Sequence, residues 1–77
     1  MINSSMITEH MEVLGSDGKH VGRVDKITGG EIELAKMDLQ AMGKHHMIPL
    51  SWVEYVDDKV HLSLDRKEAE ERWIKAH

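Results

Sequence analysis

Seventy-seven residues make room for one domain and no more. There is no cysteine, so a disulfide cannot reinforce the small core, and no apolar run approaches the roughly 20 residues that cross a bilayer as a helix. Ten Lys and Arg, dispersed along the chain, stand against fourteen Asp and Glu for a net charge of −4, which argues against nucleic acid, whose binding rests on neutralised phosphates.

A domain this short buries only about 60% of the surface its unfolded chain exposes, so a metal or a second subunit is the natural reinforcement. The missing cysteines and the absence of a secretory leader pattern predict a cytoplasmic location. With six methionines, two tryptophans, one tyrosine and no phenylalanine, the core must come from Val, Ile, Leu, Met and Trp.

Residues 1–5 show no periodicity and are expected to form a flexible N-terminus. From Met6 the pattern predicts a strand, with Ile7, Met11 and Val13 on one parity. Asp17-Gly18 is a hairpin signal. The next strand, His20 to Ile27, spaces its apolar residues by three, at Val21, Val24 and Ile27, which predicts a bulge at Gly22. Gly29-Gly30 predicts a tight turn, and Glu31 to Lys36 alternates with Ile32 and Leu34 inward. Residues 37–44 read as the longest irregular stretch. His45 to Leu50 resumes as a strand, with Pro49 at an edge or a strand end. A short turn over Ser51 to Glu54 precedes Tyr55-Val56, Asp57-Asp58 closes another hairpin, and Lys59 to Leu64 carries Val60, Leu62 and Leu64 inward. Asp65 with Glu68 reads as a capping box that starts a helix, with Leu64 stapled to Ala69. Ala69, Trp73 and Ala76 would form its apolar stripe. The prediction is a mainly all-β domain: a small barrel of five to six short strands over 6–64 and a C-terminal helix, 65–77, packed on it.

The run from Met11 to Asp25 resembles the opening hairpin of PRC-barrel domains, in its Asp17-Gly18 turn and its Val21, Gly22 and Val24 step. Ile48-Pro49-Leu50 resembles their later signature, and Val56 to Leu62 their closing hairpin. The fuller string, from His45-His46 through Ser51-Trp52-Val53 to Val60-His61-Leu62, is similar to an uncharacterised bacterial family, domain of unknown function 2171. The likeness runs from about Ile7 to Trp73. It implies an SH3-like β-barrel and a role in assembly or docking, since PRC-barrel members include a photosynthetic reaction-centre subunit and a ribosome-maturation factor. Such a fold-level analogy carries no chemistry of its own.

Three constellations are candidates for function. His10, His45, His46 and His61 could supply imidazoles to zinc or another divalent transition metal. Their spacing matches no zinc signature, and the plain alternative is surface histidine. Catalysis lacks support: no serine lies in a recognisable nucleophile motif, Asp57-Asp58 is a turn pair, and Gly29-Gly30 is no phosphate cradle. Met37, Leu39 and Met42 on the long segment, with Trp52 and Tyr55, are the candidate interaction surface, because adaptable methionines and aromatic anchors suit a partner. The sequence therefore predicts a protein without catalytic activity or resident cofactor, a module that assembles with itself, as a homodimer, or docks on another protein. The alternative is a small histidine-based metal binder, and a distant third is an RNA-associated accessory domain.

Overall fold

The computed structural model describes residues 4–35 and 46–75. Seven strands and one helix follow in chain order: β1 (Glu12–Leu14), β2 (His20–Thr28), β3 (Glu31–Leu34), β4 (His46–Pro49), β5 (Val53–Val56), β6 (Val60–Leu62), α1 (Arg66–Arg72) and β7 (Ile74–Lys75). They form one sheet in the order β5-β6-β1-β2-β3-β4-β7. Every pairing is antiparallel except that of β1 with β6, where Val13 lies opposite Val60 and Leu14 opposite His61.

Among the described residues the domain is mainly β with one short α-helix near its C-terminal end, as the sequence predicts. Among the described residues the sheet is not closed, because β5 and β7 remain its two edges. Barrel is thus an approximate description.

The strand β2 holds the two halves together. Its first half pairs with β1 and its second half with β3, and each pairing slips by one residue. A bulge bends its strand and lets neighbouring residues face the same side. Here it buries both Val21 and Gly22, and then Val24, as the spacing of three requires. The bend brings Val13, Val21, Val24, Ile32, Leu34, Ile48, Val60 and Leu62 into one core, each no more than 1% exposed.

The strand predicted from Met6 begins only at Glu12. Ser4–Met6 is a 3-10 turn, Ile7 drops into the core, and the Met11 amide closes a turn onto the Thr8 carbonyl at 3.3 Å. His10 sits there at φ +70°, which no strand accommodates. Its amide donates to the Val24 carbonyl at 2.8 Å, so β2 holds the turn in place.

The helix is also shorter than predicted. Its start has the expected capping box: the Asp65 carboxylate accepts from the Glu68 amide at 2.8 Å, while Glu68 reaches back to the Asp65 amide. Its end comes at Arg72, with Trp73 already extended, and Ile74–Lys75 then pair with β4. Ala69 is fully buried beneath the helix.

The hairpin between β1 and β2 docks against the helix start. Gly18 takes φ +78° at the tip, and Ser16 donates its amide to the Leu64 carbonyl at 2.8 Å. A Cβ on Gly15 would lie 2.6 Å from the Arg66 amide nitrogen, so only glycine permits this approach.

Candidate functional site

The two hairpins, β1–β2 and β5–β6, flank a shallow groove of about 240 Å³. Leu14, Gly15, Ser16 and Gly18 form one wall, and Glu54, Tyr55, His61 and Leu62 the other. Pockets for drug-sized ligands run to about 300–1,000 Å³, so this groove suits one or two side chains.

Tyr55 dominates the rim. It is 50% exposed, and its ring stacks on His61 with centroids 4.1 Å apart and planes 8° from parallel. The two residues lie opposite each other across β5 and β6. His61 Nε2 lies 2.9 Å from Asp57 Oδ1, and the same oxygen accepts the Lys59 amide at 2.8 Å. Tyr55, His61 and Asp57 therefore form one ordered chain of contacts on the surface. The Lys59 amide first, and His61 after it, hold the Asp57 carboxyl below its ordinary acidity range.

A bulge in β5 shapes the rest of the rim. Val53 pairs with Leu62 and Tyr55 with His61, so Glu54 is an extra residue on its strand. Val53 is buried and Val56 half-buried, while Glu54 and Tyr55 are both exposed. Glu54 was not singled out from the sequence, although the signal exists. Val53 and Val56 are spaced by three, as Val21 and Val24 are, and that spacing marks a bulge.

The other predicted contact residues divide. Trp52 packs partly buried against the core, and its carbonyl accepts the Ser63 amide at 2.8 Å. Met37, Leu39 and Met42 lie outside the described residues.

The predicted metal ligands also separate. His10 occupies the turn before β1, and His61 is engaged by Asp57 and Tyr55. His46 is 4% exposed and stacks on Trp73, with centroids 3.9 Å apart and planes 10° from parallel. His45 lies outside the described residues. Among the described residues, no three His, Cys, Asp or Glu side chains are grouped to hold a metal ion.

Ser16, His61 and Asp57 include the residue types of a nucleophile, base and orienting acid. Among the described residues no hydrogen bond joins Ser16 to His61, so the contact that activates a serine is missing from the set. A second depression, of about 290 Å³, lies between Asp17, Lys19, Arg66, Lys67 and Glu70. Its charges are mixed, with Arg66 Nε 3.3 Å from Glu70, and it selects no ligand charge.

Residues 7–70 match the family described as uncharacterized protein conserved in bacteria (DUF2171). The chain belongs to this family. The matched span covers all strands but the last and most of α1, so the groove between the two hairpins lies wholly within it. No curated protein matches the chain. Among the described residues, no helix is long and apolar enough to cross a membrane.

Proposed function

We propose that this domain is a non-catalytic protein-docking module, similar in role to PRC-barrel assembly domains and acting in the bacterial cytoplasm. One observation carries the reading: the only tyrosine of the chain is half exposed at the rim of a groove and already fixed in place by His61. Aromatic side chains supply most interface hot spots, which cost about 2 kcal/mol or more on truncation. A ring held in one orientation before binding loses less rotamer entropy when a partner arrives. Asp57 strengthens this by holding the Nε2 edge of the His61 ring at 2.9 Å. The lack of cysteine supports the reducing location.

The test is photocrosslinking in living cells. A benzophenone amino acid is placed at position 55 and, separately, at Glu71, which is exposed on α1. Docking predicts discrete crosslinked species from position 55 only. Species of twice the chain mass identify self-assembly, and other masses identify a different protein. No product at position 55, or identical products from both positions, contradicts the reading.

A further inference from the structure

The bulge in β5 places a carboxylate and an aromatic ring side by side on the groove, and that pairing has a specific chemistry. Strict alternation would send Glu54 and Tyr55 to opposite faces of the sheet. The extra residue turns both outward, and both line the same depression. Among the described residues the Glu54 carboxylate makes no ion pair. The adjoining turn adds Asp57 and Asp58, and its one cation, Lys59, lies 3.5 Å from Asp58. Among the described residues no Lys or Arg lines the groove.

The edge itself argues for side-chain recognition. A flat edge strand invites another strand through its unpaired backbone groups, whereas a bulge disrupts that template. Among the described residues β5 is an edge, and it is bulged at Glu54, which lines the groove. The groove volume of about 240 Å³ fits one long side chain.

We infer that the groove receives an arginine or lysine side chain presented by another protein, with the cation against the exposed part of the Tyr55 ring at the groove rim and its charge met by Glu54. A cation over a tyrosine ring is attracted by the ring quadrupole, and arginine adds planar stacking. His61 covers one face of Tyr55, and the residue is still 50% exposed. This inference deepens the docking reading and rests on it.

The experiment is an NMR titration with acetyl-Gly-Ser-Arg-Ser-Gly-amide and its citrulline counterpart, which keeps the shape and removes the charge. Tyr55 is the only tyrosine, so its ring resonances report the groove without ambiguity. The inference predicts saturable shifts at Tyr55 and His61 with the arginine peptide, and binding at least threefold weaker with citrulline. Glu54→Gln should weaken arginine binding three- to tenfold, while Glu71→Gln, which changes net charge equally from α1, should leave it within twofold. Equal binding of the two peptides overturns the inference, as does equal weakening by the two Gln variants or no shift at tens of millimolar peptide. Crosslinking at position 55 despite such a result would retain the docking reading and remove only the preference for a cation. Crosslinked species of twice the chain mass would assign the groove to a second copy and overturn the choice of another protein.

Discussion

The molecule contains two ring stacks of nearly identical geometry and opposite placement. His46 on Trp73 and Tyr55 on His61 both stack within 4.1 Å and within 10° of parallel. His46 is 4% exposed and Tyr55 is 50% exposed. Similar contacts thus do different work. The inner stack ties the chain after α1 to β4, next to the pairing of His46 with Lys75 and of Met47 with Ile74. The outer stack buries little and orders a ring that faces solvent. Burial, rather than ring geometry, separates the two stacks.

The largest effect should come from breaking the inner stack. Trp73→Ala removes the ring that covers His46, and buried Trp→Ala changes cost about 3–5 kcal/mol. Trp73 is only partly buried, so about 3 kcal/mol is expected, measured by urea unfolding. Faster amide exchange in β4 should accompany it. The next effect concerns delivery of Trp73 by the helix. Asp65→Ala deletes the capping acceptor, and helix caps contribute about 1 kcal/mol. Amides of 66–68 should lose more protection than those of β6.

Tyr55→Ala should be milder, at about 0.5 kcal/mol, because exposed substitutions and cross-strand pairs fall in that range. The smallest effect concerns acid. Asp57 has a folded-state pKa below its ordinary value, so its contribution is fully present above pH about 4 and is lost as pH falls through the folded value. Asp57→Asn should therefore flatten the acid limb of the stability profile below about pH 4 and change its shape little near neutrality. Zinc and chelator should leave the melting temperature unchanged, since both stacked histidines are engaged with other side chains.

Much of the fold was legible where local chemistry decides the outcome. The Asp17-Gly18 turn, the capping box of Asp65 and Glu68, and the inward faces of Ile32, Leu34, Val60 and Leu62 depend on neighbours in sequence. The misses came from long-range pairing. Nothing local indicates that His10 would take a positive φ, because Val24 holds it there. A stripe of Ala69, Trp73 and Ala76 suits a longer helix, yet pairing with β4 and stacking on His46 favour extended backbone from Trp73 onward. The sequence offers Tyr55 as a candidate contact residue and leaves its burial open; the structure leaves it half exposed, with partners that no local pattern shows. His61 was grouped with possible metal ligands, whereas its register on β6 sets it under Tyr55 and beside Asp57.

The most direct test is thermal unfolding of Trp73→Ala and Tyr55→Ala beside the parent protein. For a domain of this size, 1 kcal/mol shifts Tm by about 4–8 °C. The account predicts a loss beyond about 12 °C for Trp73→Ala and no more than about 4 °C for Tyr55→Ala. An equal loss from both variants would make the outer stack a structural element, and would contradict the claim that Tyr55 is free to meet a partner.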